Sequence, residues 1–303
     1  TMNLVMKNAP DHFLLTGNVS GGYSTIFSDR PFTAFIHSGI NKQSPAEIHG
    51  NTYEAQPSDF ITSNLTYYNR PHPVNSTYGL TVGNRFAGGK LGIILSGSYQ
   101  SLFKGTISDR VVPDAQPQVN EGPNSLNPAY SYVRQFNTQT KRFGLQNKID
   151  YVINSRNKLS LFNMYVHQDS WETRFTPDSS TAGLNSTATA TTINPEYRST
   201  WQIQNIYNAT LQGDHQLSDR VSIKWTGAYS IAKQQLPDQA TITWNEFVYR
   251  NGKGNIDSLS NFIPNGTSDV VTHRWEHNSD KDLAGYGNLT YKPTIFHHDV
   301  EFT

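Results

Sequence analysis

The 303-residue chain has no cysteine and few charged residues. The absence of cysteine excludes disulfide frameworks, thiolate metal sites and cysteine nucleophiles. Only 16% of the residues are charged, whereas about one quarter is usual for globular domains. The 24 basic side chains balance the 24 acidic ones, so composition gives no electrostatic basis for binding nucleic acid, and we expect no such partner.

The sequence also lacks a long apolar run, since none approaches the roughly 20 residues that a transmembrane helix requires. Hydropathy alone would therefore indicate a soluble protein. That criterion fails for membrane β-strands, which show lipid only every second residue. What the chain does contain is 12% aromatic residues together with abundant Asn, Ser, Thr and Gly, a composition typical of β-structure with hydrated surfaces.

Period-two alternation is the clearest pattern in the sequence. In 221–231 the odd positions are apolar or glycine and the even positions are mostly polar, as in a strand with two different faces. The segment 201–211 alternates in the same way, apart from Asn205 on its apolar face. A short polar stretch, 217–220, separates the two segments, which predicts an antiparallel hairpin.

Similar hairpins are predicted around the tight turns 87–90, 154–157 and 292–297, and an earlier strand carries Phe13, Leu15, Val19 and Tyr23. The connections between hairpins are long, at about 104–135, 168–198 and 234–280. Short and long connections therefore alternate. We predict an all-β fold: an antiparallel up-and-down transmembrane β-barrel, present in part, with about 8–9 strands, short turns at one end and long loops at the other.

The alternative is a soluble barrel whose apolar face points inward. Two observations favour lipid on that face. The polar faces carry Gln, Asn, Ser and Thr more than Lys and Glu, which suits a hydrated lumen. Aromatic residues lie toward the strand ends, as in the girdles of membrane barrels. They are Tyr78, Phe86, Phe103, Phe143, Trp201 and Tyr291.

Several stretches resemble TonB-dependent receptors of the Bacteroidetes type. Residues 1–10, TMNLVMKNAP, resemble the end of the plug domain, where it leads into the first barrel strand. Asn84-Arg85-Phe86 followed by GGKLG at 88–92 looks like the first inner turn of those barrels. LSGSYQ at 95–100 and KIDY at 148–151 also resemble segments of those receptors. The resemblance is loose over the whole chain and more specific at 1–10 and 78–104.

The resemblance implies a plug inside a barrel of about 22 strands and energy from the TonB complex acting on that plug. Residues 1–11 would then be the end of the plug domain, and 12–303 the N-terminal part of the barrel. The sequence departs from the family in having no TonB box, almost no plug and no closing strand. We therefore expect the missing plug and the remaining strands as partners, together with outer-membrane lipid, the TonB complex through that plug and a surface lipoprotein.

The function expected from this resemblance is uptake of a scarce nutrient, such as a metal chelate, a glycan or a peptide, across the bacterial outer membrane. We expect no enzyme activity, no cofactor and no metal site. His273 and His277 have a spacing that binds zinc on a helix, but they fall in a predicted loop beside a strand. One alternative is an outer-membrane barrel enzyme, for which His167 and Ser170 are the nearest candidates. Another is a secreted carbohydrate-binding β-protein.

The ligand itself is not identified by the sequence. Aromatic residues of the connection 234–280 could stack on sugars or on ligand rings, or they could pack an extended hairpin above the membrane. These candidates are Trp244, Phe247, Tyr249, Phe262 and Trp275.

Overall fold

A computed structural model describes residues 8–71, 73–113, 128–177, 190–244, 246–251, 256–259, 271–295 and 298–299. Its main element is one antiparallel sheet of eight strands that lie side by side in the order in which they occur along the chain, which confirms the predicted up-and-down fold. The strands are β1 (Leu14–Tyr23), β2 (Val74–Phe86), β3 (Leu91–Pro113), β4 (Pro128–Asn154), β5 (Asn157–Thr176), β6 (Glu196–Gln216), β7 (Val221–Thr243) and β8 (Val271–Tyr291).

The four predicted turns lie at one end of this sheet, as expected. Backbone hydrogen bonds of 2.8 Å link the residues next to one turn with those next to another. They run from Val152 to Lys90, from Gln216 to Arg156 and from Lys292 to Arg220. We call this the turn end and the opposite end the loop end. Two short paired strands, Thr294–Ile295 and His298–Asp299, follow β8 at the turn end.

The strands are much longer than the sequence predicts, and the predicted extents of the three long connections are wrong. β3 has 23 residues and β4 has 27, so both run well into the predicted connection 104–135. The connections 168–198 and 234–280 are shortened in the same way by β5 to β8. Three short strands, Ala190–Ile193, Glu246–Arg250 and Ile256–Leu259, form a separate small sheet at the loop end.

A fourth connection, between β1 and β2, was not predicted as a structured element. We call residues 24–71 the cap segment. It contains two short helices, two 3-10 turns and a two-stranded ribbon. These are α1 (Ile26–Asp29), α2 (Pro45–His49), the turns Pro57–Asp59 and Ser63–Leu65, and the ribbon strands Phe32–Phe35 and Tyr67–Arg70.

The cap segment packs against the sheet through a small aromatic core. The ring of Phe32 lies 5.4 Å from that of Phe27 and 5.2 Å from that of Phe103 on β3, both edge to face. All three side chains are buried. A Cβ at Gly105 would lie 2.9 Å from Ile26 and 3.0 Å from Phe27, so the absence of a side chain there lets the cap segment approach β3.

A β-bulge in β7 gives the cap segment a second attachment. The register of β7 shifts by one residue around Pro237 and Asp238, and Asp238 has a left-handed backbone with φ 41°. The buried side chain of Asn64 donates to the carbonyl oxygen of Asp238 at 3.0 Å. The bulge therefore presents a carbonyl group that a regular ladder would have used.

The sheet is open over the described residues. There β1 pairs with β2 alone and β8 pairs with β7 alone, so the outer edge of each has no partner strand. An open eight-stranded meander is consistent with part of a barrel. Within the described ranges, no helix is both long and apolar enough to cross a membrane.

Candidate membrane surface and ligand sites

One face of the sheet exposes apolar side chains. Residues opposite each other in neighbouring strands share a face, so the pairing of Leu80, Gly97 and Leu145 puts Leu80 and Leu145 on one side. Leu80 is 57% exposed there and Leu283 is 83% exposed. We call this the apolar face. It also carries Leu95, Tyr99, Phe143, Tyr151, Tyr165, Tyr207, Leu211, Tyr229 and Leu289, all at least 37% exposed.

Polar groups among these side chains are hydrogen-bonded to one another. The Asn163 amide donates to Asn147 at 3.2 Å and accepts from the Tyr207 hydroxyl at 3.1 Å. The Tyr165 hydroxyl donates to Asn205 at 3.1 Å. Such internal pairing is what a surface in contact with lipid requires, because hydrocarbon offers polar groups no partner.

The opposite face is polar and carries rows of hydrogen-bonded side chains. One row crosses β4 to β7: Arg142 donates to Gln168 at 2.6 and 2.9 Å, Gln168 to Gln204 at 3.4 Å, and Gln204 to Gln234 at 3.5 Å. Ser222, Lys224, Thr226 and Ser230 lie on this polar face, and Val221, Ile223, Trp225, Tyr229 and Ile231 lie on the apolar face. The predicted alternation is therefore confirmed.

Residues 8–11 lie against the polar face near the turn end. Lys148 donates to Asn8 at 2.8 Å, and Arg85 bridges Asp11 at 3.2 Å and Asp150 at 3.0 Å. The side chain of Asp150 is fully buried and also lies 3.8 Å from the ammonium group of Lys158. This charge cluster attaches the segment before β1 to the sheet. Residues 1–7 lie outside the described residues, so the plug junction at 1–11 stays a prediction.

The exposed apolar band ends where the cap segment begins to cover the same face. On β3 the stretch from Leu91 to Ser101 lies outside the cap, whereas Phe103 is only 4% exposed beneath it. Ile107 and Val111, further along the same face of β3, are exposed again. On β4 and β5 the buried residues Asn137 and Thr173 mark the same level. Crossing a bilayer takes about 9–11 residues of tilted strand, and the 11 residues from Leu91 to Ser101 match that length.

Two stacked tryptophans mark this boundary. Trp171 of β5 and Trp201 of β6 lie 6.4 Å apart, and the ring of His37 from the cap segment stacks on Trp171 at 4.8 Å. The ammonium group of Lys141 lies 5.4 Å from the Trp171 ring centre. Desolvation, followed by the charge of Lys141, lowers the pKa of His37. The lowered pKa favours the neutral form of this imidazole.

The structure describes the side chains of three of the five predicted ligand aromatics, and these three have different surroundings. Trp244 stacks on Tyr197 at 5.9 Å. Trp275 donates its indole N–H to the carbonyl of Asn41 at 3.0 Å and packs near Phe60. Tyr249 is 43% exposed on the small sheet. The side chain of Phe247 and all of Phe262 lie outside the described residues, so their role as ligand contacts stays a prediction.

The residues considered for catalysis and metal binding are also dispersed. His167 and Ser170 lie on opposite faces of β5; His167 contacts Asn205 and Asp169, and Ser170 contacts Thr140. His273 and His277 lie on β8 and not in a loop, which corrects the sequence interpretation. His273 contacts Asp238 at 2.5 Å and His277 contacts Glu47 at 3.2 Å. No group of three potential metal ligands occurs in the described part of the chain.

One cavity was missed by the sequence analysis. It has a volume of about 390 Å³ and lies between the cap segment and strands β4 to β6, above the apolar band. The cap segment shows no strand or helix pattern in the sequence, so the cavity walls that it forms could not be predicted. The cavity floor could have been recognised, because Phe175 and Tyr197 alternate with polar neighbours as strand residues do. Both residues lie where long connections were predicted.

Comparison of the chain with protein-family models, with curated proteins and with solved structures finds no match. The functional argument therefore rests on the residues and on the geometry described above.

Proposed function

We propose that this chain forms wall strands of a bacterial outer-membrane barrel of the TonB-dependent receptor type, which takes up a scarce nutrient. The observation that carries the proposal is the pairing of an exposed apolar face with a polar, hydrogen-bonded face on the same strands. Soluble monomers rarely expose contiguous apolar patches of more than a few hundred Å². Here exposed apolar side chains recur on neighbouring strands from β1 to β8.

The composition of the polar face supports a hydrated interior. Its central row consists of glutamines linked to Arg142, and glutamine can exchange hydrogen bonds with water or with a passing solute. Residues 8–11 occupy the turn end of this face through the charge cluster. That position suits a chain leading from an interior plug into the first wall strand, as the resemblance to TonB-dependent receptors implies.

The open edges of β1 and β8 bear on how the wall is completed. In lipid each unpaired backbone group costs several kcal/mol, so a spanning sheet needs partners on both edges. We propose that further strands of the same barrel pair there, and that the TonB complex acts through the plug. The nutrient is a metal chelate, a glycan or a peptide, and a surface lipoprotein is the partner proposed for its capture.

Fractionation of the cells that make the protein tests the proposal. We expect the protein in outer-membrane fractions, with heat-modified mobility on gels, and we expect nutrient uptake to stop when the TonB complex is removed. Recovery of a soluble protein from the medium would favour the secreted carbohydrate-binding alternative. Uptake that persists without the TonB complex would refute the TonB complex as the energy source but would not contradict the proposed barrel.

A further inference from the structure

The cavity beneath the cap segment is a preformed site. Its floor includes Gln135, Phe175 and Tyr197 of the sheet, and its walls include Arg30, Tyr68 and Asn69 of the cap segment. A volume of about 390 Å³ falls within the roughly 300–1,000 Å³ of small-molecule sites. The cavity lies on the same side of the sheet as the apolar band, and therefore not in the proposed lumen.

Strong contacts hold the walls in place. The guanidinium group of Arg30 donates to the Asn137 side chain at 2.7 Å and to the Phe136 carbonyl at 3.0 Å. The Thr173 hydroxyl donates to the Thr33 carbonyl at 2.7 Å. The Tyr197 ring stacks between Tyr67 at 4.5 Å and Phe175 at 4.4 Å. A ligand would meet a site that needs little rearrangement, which reduces the entropy lost on binding.

The lining combines aromatic rings with amides and hydroxyls. Tyr68 is 45% exposed, and its ring is available for stacking. The side chain of Gln135 has no hydrogen-bond partner among the residues that the structure describes, so its amide can both donate and accept. The lining contains no carboxylate. The guanidinium group of Arg30 donates to two neutral acceptors, the side chain of Asn137 and the carbonyl of Phe136, so it keeps its positive charge. The tyrosine rings, amides and hydroxyls suit a ligand with an apolar face and a rim of hydroxyl groups.

We propose that the cavity binds a saccharide unit at the outer surface of the membrane. The C–H face of the sugar packs on the tyrosines, and Gln135 and Asn69 bind its hydroxyls. A free glycan and the carbohydrate of a membrane glycolipid present the same chemistry, and the cavity directly above the apolar band is accessible to both. The site is independent of transport through the lumen, so uptake and saccharide binding can fail separately.

Saccharide binding is measured on the protein purified from the membranes of cells that make it. A sugar-free detergent such as an amine oxide avoids competition from maltoside headgroups. The probes are neutral hexoses, N-acetylhexosamines, short oligosaccharides and a delipidated lipopolysaccharide core, each followed by saturation-transfer NMR and calorimetry. We expect Tyr68→Ala and Gln135→Ala each to weaken binding about tenfold, equivalent to about 1.4 kcal/mol.

Two matched variants control for general damage. Tyr53→Ala removes a tyrosine of the same cap segment that does not line the cavity, and Gln202→Ala removes a glutamine of β6 from the polar face. Both should bind the saccharide as the unmodified protein does. Preference for the lipopolysaccharide core would identify a membrane glycolipid as the source, and preference for a simple glycan would identify a free ligand. Failure of every probe to bind, or binding unchanged in Tyr68→Ala and Gln135→Ala, would overturn the proposal.

Discussion

The carboxylate of Asp150 occupies the space directly above the α-carbon of Gly92, its partner across the β3–β4 ladder. A Cβ built on Gly92 would lie 2.6 Å from an Asp150 oxygen and 2.8 Å from the Cβ of Ala9. Asp150 is in turn held by Arg85 at 3.0 Å. The missing side chain of Gly92 therefore lets the charge cluster and the segment 8–11 approach the sheet.

This relationship predicts that Gly92→Ala destabilises the protein. An added methyl group must displace either Asp150 or Ala9, and such overpacking costs about 1–3 kcal/mol. Gly227→Ala is the matched control, since a Cβ there meets no atom within 4 Å. Urea unfolding in lipid vesicles compares the free energies of unfolding of the two variants. Equal stabilities would contradict the close approach at Gly92.

The assignment of the two faces predicts opposite outcomes at neighbouring positions of β7. Trp225 lies on the apolar face over Gly213, and Lys224 lies on the polar face with Asp214 at 3.6 Å. Arginine facing lipid costs about 2–4 kcal/mol at mid-bilayer and less near the interface, so Trp225→Arg should destabilise strongly. Lys224→Ser removes an ion pair of half-exposed groups, which is worth about 0–1 kcal/mol. Comparable losses in a lipid folding assay would argue against lipid on this face.

The absence of cysteine makes sidedness measurable. Single cysteines at Ser155 and Asp219 would lie at the turn end, and one at Asn51 would lie on the cap segment at the loop end. A membrane-impermeant maleimide added to intact cells should label the Asn51 position alone. All three positions should react after the cells are lysed. Labelling of the turn-end positions in intact cells would reverse the proposed orientation.

The hairpins were predictable because alternation is strong where the two faces differ most. Val221 to Ile231 show this contrast, since lipid and water would lie on opposite sides of the same strand. Beyond Phe103 the contrast fades, because the cap segment covers the apolar side with polar contacts such as that of Asn137 with Arg30. Strand ends in that region therefore looked like loops in the sequence.

Features that depend on distant residues could not be predicted. The charge cluster joins Asp11, Arg85 and Asp150 from separate segments, and no local pattern links them. The cavity requires the cap segment to fold back over β4 to β6. Of the predicted ligand aromatics, Trp275 was recognisable by its type, but its contact with Asn41 spans 234 positions.

A capping box on the cap segment predicts an acid-dependent contact with β8. The backbone N–H of Ser44 donates to Glu47 at 2.7 Å, and His277 lies 3.2 Å from the same carboxylate. These contacts, first of all the Ser44 backbone bond, hold the pKa of Glu47 below its ordinary value. A carboxyl group whose pKa is lowered by folding stabilises the fold above its unfolded pKa, and that contribution is lost as pH falls through the folded pKa.

We therefore expect residues 44–50 to loosen only at acidic pH, below the ordinary glutamate pKa of about 4.3. Hydrogen exchange, corrected for its intrinsic pH dependence, should show this loosening. Glu47→Gln should exchange faster at neutral pH and should lose the acid step. Glu54→Gln, which alters an exposed glutamate of the same segment, serves as the control. An acid step that survives in Glu47→Gln would assign it to another group.

The open edges lead to the last prediction, which concerns the 303 residues expressed alone. Among the described residues, no strand pairs with the outer edge of β1 or with the outer edge of β8. Water can satisfy the backbone groups of such an edge but lipid cannot, so the sheet should not insert stably by itself. After refolding in detergent we expect aggregates or unfolded chains, judged by circular dichroism, gel mobility with and without heating, and light scattering. Monodisperse particles the size of one chain would show that β1 and β8 pair with each other, because closure is the remaining way to remove both edges. The protein would then be a small barrel with little room for a plug, and the receptor proposal would have to be abandoned in favour of another outer-membrane function.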